Sequence, residues 1–256
     1  MALNFQIVSA HHAPIPYRGR GYWEQHFREI GAWPPFMHLD RVSACYSDEI
    51  DARFGNLQLI AIESSNNEVA AIANVVALRM PAAPARLPDT GWDWALQTAI
   101  EQHRAGVEPD SVASLSITVL PKWRRQGLGG LLIREVADRA REHGLRHVIA
   151  PVRPMLKARQ PELSIDDFLA LRRADGFHVD PWIRAHERTG AAIAGPCHRS
   201  MVIEAPLALW ETWEGRTFRE AGMYVVRGCL ARVSIDVERS TGTYIEPNVW
   251  MKTAIG

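Results

Sequence analysis

Apolar and polar positions change period along Ser114 to Ala140, the stretch SLSITVLPKWRRQGLGGLLIREVADRA. Leu115, Ile117 and Val119 alternate with Ser116, Thr118 and Leu120, and a period of two predicts a mostly buried strand with a mixed second face. Pro121 ends the alternation. After it, Leu128, Leu131, Leu132, Val136 and Ala140 fall on one side of a 3.6-residue period, which predicts an amphipathic helix packed on a sheet.

The same reading organises the rest of the chain. NFQIVSA predicts a first strand, and Trp23, Phe27 and Ile30 predict a helix over Gly21–Trp33. LQLIAIESSNNEVAAIANVVALRM predicts two strands about a polar turn at Ser64–Glu68. A proline-rich loop, PAAPARLPDTG, precedes a short helix expected near Trp92–Gln102, and GLRHVIAPVRP predicts another buried strand. In PELSIDDFLALRRADGF, Ser164 and Asp167 mark a helix start. Asp180, Pro181 and Gly190 mark the start and stop of a further helix. The last third holds AIAG, RSMVIE, LARVSIDVE and GTYIEPNVW as short strand-like runs, with PLALWETWEGRTF as an inserted helix. With no repeat or low-complexity linker, the expectation is one α/β or α+β domain over residues 1–256. It is elaborated from about residue 192, with 205–228 as an insertion.

Composition narrows the classes of function. The 256 residues are 47% hydrophobic and 23% charged, enough for a sizeable core. Lys plus Arg is 29 and Asp plus Glu is 29, which disfavours a basic nucleic-acid binder or an acidic tail. Cys45, Cys197 and Cys229 have neither metal nor disulfide spacing and suit a reducing compartment. MALNFQIVSAHHAPIPYRG carries no basic segment followed by a long apolar run, and no apolar run approaches membrane-spanning length. A cytoplasmic protein with no membrane partner is expected. His11–His12 lack a third ligand at zinc spacing, so no metal is expected.

The turn RRQGLGG between strand and helix suits an anion. A helix N-terminus offers unpaired N–H groups and the positive end of its dipole, and Gly127 and Gly129 allow close approach to the main chain. Gly-x-x-x-x-Gly-Lys-Ser/Thr is absent, and the dinucleotide pattern fails at Leu132. Arg124-x-x-Gly127-x-Gly129 instead fits Arg/Gln-x-x-Gly-x-Gly/Ala, and so resembles the acyl-CoA-binding motif of the GCN5-related N-acetyltransferase (GNAT) superfamily. ITVLPKWRRQGLGGLLI looks like that superfamily's fourth strand, pyrophosphate loop and third helix. The resemblance is strongest over Ser114–Val152 and looser to about Ala192, with the strand pair around Leu57–Leu78 in the order of strands two and three. GWDWAL, APVRP, DGFHVDPWIRAHERTGA and EPNVW also resemble bacterial proteins known only as acetyltransferases of this superfamily.

The resemblance implies an α/β (α+β) fold with a mixed central sheet, splayed parallel strands four and five, and flanking helices. Acetyl-CoA is the implied co-substrate. Its pantetheine would lie between Leu115–Leu120 and His147–Val152, bonded by backbone near Val119 and Leu120. N–H groups of Gln126, Gly127, Leu128, Gly129 and Gly130, with Arg124 and Arg125, would hold the pyrophosphate. A strand N–H near Ile117 or Thr118 would meet the acyl carbonyl. The implied reaction is direct attack by a small amine or amino-acid-like substrate on the thioester. Homodimers are common in the superfamily, and no interface is legible here.

The reaction needs a base for the amine and an acid for the departing thiolate. The superfamily's Tyr-x-x-x-Gly-Phe is matched by His186, Gly190 and Ala191, making His186 the candidate acid in place of tyrosine; bonding to backbone or to CoA is its alternative role. A second alignment, through Asp175-Gly176-Phe177, puts Arg172 at the tyrosine position. Glu204, Asp175, His178 or a held water could be the base, and Tyr224 a proton donor if the insertion folds over the site. Cys197 beside His198 is the weakest candidate, because neighbouring residues do not face each other. Arg153 and Lys157 could bind a substrate carboxylate or CoA phosphates. Asp175 and Trp182 are further substrate candidates, and Trp92, Trp94, Trp210 and Trp213 could line a channel or fill the core. A catalytically weak CoA-binding or sensor protein of the same fold is the alternative function. A nucleic-acid role for Arg124–Arg125 lacks aromatic–basic interleaving.

Overall fold

The computed structural model describes residues 5–13, 30–81 and 86–255. Most of the helix expected over Gly21–Trp33 lies outside them. Strands β1 (Phe5–Ser9), β2 (Leu59–Glu63), β3 (Val69–Leu78) and β4 (Ser111–Val119) pair antiparallel in that order. β5 (His147–Val152) runs parallel to β4 and antiparallel to β9 (Thr241–Ala254). β6 (Ala192–Pro206) follows β9 along its length, while β8 (Val233–Asp236) pairs with the N-terminal part of β9 and with β7 (Gly222–Tyr224). The mixed, open sheet has nine strands.

AIAG and RSMVIE are not separate strands. β6 is continuous, with register shifts at Ile193/Gly195 and Cys197/Met201. Gly195 and Pro196, which local reading takes as breaks, pair with Trp250 and Val249, and the bulges fall at Ala194 and at 198–200.

Helices cover both faces. α1 (Arg41–Tyr46), α2 (Ile50–Phe54) and α3 (Gly91–Arg104) pack together, and α3 lies on β3, β4, β6 and β9. α4 (Leu128–Glu142) packs on β2 to β5 and against α6 (Pro181–Arg188). Neighbouring residues of β9 show that these groups sit on opposite faces. Trp250 donates its indole N–H to Pro88 O (2.8 Å) and meets Trp94 of α3 edge-on. Met251 packs instead with Phe168 and Ile183, on the side of α6. On the α4 face the ladder aligns Ala61, Ala71 and Ala73, small side chains that let the helix lie close.

The helix after Ser164 is short. α5 (Ile165–Leu169) starts with Ser164 Oγ accepting from Asp167 N (3.0 Å). It stops because His178 Nε2–H bonds to Phe168 O (3.0 Å) and Arg172 pairs with His178. α6 starts as expected, with Asp180 accepting from Trp182 N and Ile183 N. α7 (Leu207–Glu214) brings Trp210 into a second core with Phe36, Phe218 and Tyr244. Trp210 and Trp213 therefore pack rather than line a channel. Lys157 is fully buried and donates to Gln160 O (2.9 Å) and Leu230 O (2.6 Å), tying the loop after β5 to the elaboration instead of reaching for a ligand. Among the described residues, no helix is long and apolar enough to cross a membrane.

Candidate active site

β4 and β5 pair only from Ser111–His147 to Ala113–Ile149 and then diverge. Two local features explain the opening. Asn74 faces Ser116 while Val75 faces Ser114, so Leu115 is the extra residue of a bulge. Pro151, two residues beyond the last pair, has no N–H with which to extend a ladder. The Leu115 carbonyl, left over by the bulge, accepts the indole N–H of Trp92 on α3 (3.0 Å).

Beyond the opening, Leu120 N still bonds to Ala70 O (2.9 Å), and a 3-10 turn over Pro121–Trp123 buries Trp123 edge-on to Phe5. Arg124 and Arg125 stay exposed, with Arg124 Nε donating to Val119 O (3.2 Å). Arg125 and Gly127 take positive φ, 64° and 82°. Leu131 N bonds to Gly127 O, so the N–H groups of the first turn before it have no helical partner. Phe5, Gln126, Gly127, Leu128, Leu131 and Arg134 line a cleft of about 410 Å³ there. No acidic side chain occupies the first turn. Successive N–H groups, a helix dipole and two exposed arginines could hold a diphosphate.

Several expected site residues lie elsewhere. Trp182 packs over the glycine turn from α6: a Cβ on Gly129 would come within 3.0 Å of its ring, so Trp182 lies on the α4 face of the sheet. His186, one turn further along α6, is 6% exposed and borders a cavity of about 350 Å³ between α4, α6, β5 and β9. Burial pushes it down to about 4. It is neutral near pH 7 and has no imidazolium proton to give a thiolate, contrary to the acid role expected of it. Tyr224 sits on β7, at the far edge of the sheet, with its hydroxyl donating to Glu220 O (2.9 Å). Glu204 pairs with Thr243 and points, exposed, to the face opposite Tyr244 and Glu246. Asp175 is held in an exposed turn by Arg173 and Arg188. His178 is buried with both ring nitrogens bonded, Nδ1 accepting from Asp180 N (2.9 Å). Burial pushes the Cys197 thiol up, away from thiolate formation.

The α3 face carries what these residues do not supply. Trp250, Asn248, Glu246 and Tyr244 alternate onto it along β9. Following the ladder from Trp250 through Pro151, Ile149, Ala113 and Val76 places Asn74, Ser116 and Thr118 there too. Among the described residues, seven buried side-chain polar atoms make no hydrogen bond. All but His147 Nδ1, at the far end of β5, belong to Asp40, Asp93, Thr118, Arg153, Glu246 and Asn248. Arg153 Nε and Glu246 Oε1 are 2.6 Å apart, an ion pair poorly aligned as a hydrogen bond. Arg153 also donates to Gly228 O (2.5 Å), and Tyr244 OH donates to the second Glu246 oxygen (2.5 Å). Burial still raises Glu246. Asn248 Nδ2 reaches Ser200 Oγ (2.8 Å) and Pro151 O (3.3 Å), and Ser200 Oγ accepts from Trp92 N (2.8 Å). Asp93, on the first turn of α3, faces Asp40. Burial first, and the Asp40 carboxylate second, push it up to about 8. Asp93 lies in GWDWAL and Glu246 and Asn248 in EPNVW, and no spacing or motif in either stretch assigns them a role.

Comparison with known proteins fits this architecture. The sequence model of the Acetyltransferase (GNAT) family matches residues 44–159. The chain is 29% identical over 246 residues to the arginine N-acetyltransferase avaD of Aspergillus versicolor, covering 86% of this chain and 84% of that one. Its fold is similar to the loading GNATL domain of CurA from Lyngbya majuscula (TM-score 0.59, 13% identity, 98% of each chain). It is also similar to the GphF GNAT-like decarboxylase in complex with isobutyryl-CoA (TM-score 0.53, 15% identity, 99% of this chain and 100% of that one). The family match and the arginine N-acetyltransferase relative support membership of the GNAT superfamily and an N-acetyltransferase, and the bulged β4 splayed from a parallel β5 has the fold of the two solved neighbours.

Proposed function

We propose that the chain transfers the acetyl group of acetyl-CoA directly to the amine of a small, amino-acid-like substrate. One observation carries this reading: a backbone anion cradle on one face of the β4–β5 opening stands opposite a cluster of buried, unsatisfied polar groups on the other. The first suits a cofactor diphosphate, and the second suits a polar acceptor. The likeness to an arginine N-acetyltransferase supports an amino-acid acceptor.

The diphosphate would rest on the N–H groups of Gln126 to Gly130, with Arg124 and Arg125 beside it. The pantetheine would pass between β4 and β5 along Val119 and Leu120, delivering the thioester toward α3. A β4 N–H near Ile117 or Thr118, without a β5 partner, would hold the carbonyl oxygen as charge develops on it. The deprotonated amine attacks and a C–N bond forms; the nitrogen gives up one proton to the site or solvent, the C=O re-forms as the C–S bond breaks, and the thiolate takes up a proton. Arg153, oriented by Glu246 and Gly228 O, is the group placed to meet a substrate carboxylate. Residues 1–256 would act as one domain, with the part after about residue 192 walling the acceptor side.

Calorimetry with acetyl-CoA, followed by thiol release across a panel of amino acids, tests this. Binding plus amine-dependent thiol release is expected. Failure to bind acetyl-CoA overturns it, and binding without thiol release for any amine would make the chain a CoA-binding protein instead.

A further inference from the structure

Asp40, buried, and Asp93, half-buried, form an acidic pair that the transfer chemistry does not use. Asp40 caps α1, with Oδ1 accepting from Ser43 N (2.6 Å), and is 1% exposed. The two side chains bond each other, and Asp40 Oδ2 and Asp93 Oδ1 are buried with no donor from the rest of the described residues. The two carboxyl groups face each other, and the charge acting on Asp93 is that of Asp40. Backbone N–H groups of Ser43 and Val42 on α1 and of Val202 on β6 are the other groups bonded to them. Arg41 and Tyr46 on α1, Glu101 on α3 and Glu204 on β6 are ionisable groups of the elements around the pair, and none acts on it. Two buried carboxyls with no cation are unfavourable unless one proton is shared, and burial keeps that proton on the pair near neutrality.

A second observation points to a ligand on the same face. Asn248 is 2% exposed, and its Oδ1 has no partner. It connects through Ser200 Oγ to the N–H of Trp92, the residue before Asp93, whose indole grips the β4 bulge. The acidic pair is thus joined, through one residue of α3, to the strand where the carbonyl would be held.

Resting on the reading of this face as the acceptor side, we infer that Asp40 and Asp93 recognise a guanidinium group at the far end of the acceptor. Two side-by-side carboxyls match a planar fork of N–H donors better than they match a single ammonium. The shared proton leaves to solvent as the cation enters, so binding releases a proton. The acceptor class is then a guanidinium-bearing amine such as arginine, with Arg153 free for its carboxylate.

Arginine and citrulline separate the cation from everything else, because citrulline keeps the shape, carboxylate and α-amine but is uncharged at the tail. Titrating each into the protein without acetyl-CoA at pH 7, in buffers of different ionisation enthalpy, should show proton release with arginine in excess of that with citrulline. In Asp93→Asn and Asp40→Asn, the arginine-to-citrulline ratio of kcat/KM should fall roughly 30-fold or more, with acetyl-CoA affinity kept. No excess proton release in the wild-type chain, or an unchanged ratio in both folded variants, overturns the inference. The wild-type titration needs no variant and stands if either variant fails to fold. Failure of the transferase reading looks different: thiol release would be absent with every amine, while arginine would still bind with release of a proton.

Discussion

The two faces of the sheet at the β4–β5 opening are made of different material. On the α4 side the cradle is main chain: N–H groups of one contiguous turn, shaped by positive φ at Arg125 and Gly127. On the α3 side the groups are side chains drawn from the cap of α1, the first turn of α3, β4, the end of β5, and β9. A backbone cradle binds any molecule with the same diphosphate, and it needs little beyond small residues and a helix start. A side-chain cluster can be tuned residue by residue to one acceptor, and it holds buried charge that the fold must tolerate. In the proposed function the backbone cradle is therefore the constant half of such a site and the side-chain cluster the adjustable half.

The largest expected effect breaks the side-chain half. Arg153→Met leaves Glu246, fully buried, without its cation. Stability in urea should fall by about 3–5 kcal/mol. Adding Glu246→Gln should recover part of it, and an unchanged midpoint in the single variant would show that the ion pair does not hold this face together. On the cofactor face the matching strain is His186. Its folded value of about 4 lies below the ordinary 6.5, so between these the unfolded chain binds more protons. Its contribution is complete above pH 6.5 and is lost as pH falls toward 4, by about 3 kcal/mol. His186→Gln should flatten that slope in urea titrations at pH 7.5 and 4.5. An identical slope would mean the histidine is not buried as neutral imidazole.

A smaller effect isolates the backbone cradle. Gly130→Glu puts a carboxylate at the first turn of α4, where a Cβ meets only Arg134, at 3.7 Å. Acetyl-CoA affinity should fall roughly 10- to 100-fold, about 1.4–2.8 kcal/mol, with the melting temperature kept. Gly129 is the poorer place for this test, because any side chain there displaces Trp182. Unchanged affinity would move the diphosphate away from this turn.

The contrast also decides what was legible in the sequence. The cradle lies within seven consecutive residues, and its strand and helix announce themselves by a change of period. The splay came only from the resemblance, and the bulge at Leu115 did not show, because an extra residue leaves an alternating pattern looking regular. Gly195 and Pro196 suggested a break where pairing with β9 carries the strand through. The acceptor side was largely invisible. Asp40 and Asp93 are far apart in the chain and meet only when α1 packs on α3, and Glu246 and Asn248 gain meaning only from the register of β9. Arg153 could be singled out because it follows a recognisable strand. Tyr224 and Glu204 lie away from the β4–β5 opening, and nothing local tells which edge or face a residue of the elaboration will occupy.

The smallest effect asks whether the acceptor face is strained for its task. Asp93 near 8 is raised far above the ordinary carboxylate range, so the folded chain holds a proton that the unfolded chain has released between about pH 4 and 8. Its linkage therefore makes the fold less stable as pH rises through this window, at most about 1.4 kcal/mol per unit for one proton. Asp93→Asn removes the titration and keeps the shape, so the variant should gain about 1 kcal/mol on the wild-type chain between pH 6.5 and 7.5. Arginine should close the gap by stabilising only the wild type, since a ligand that binds the folded form alone raises its stability. A pH-independent difference between the two chains would show that Asp93 is already ionised and paired, and that the face holds no proton for a cation to displace.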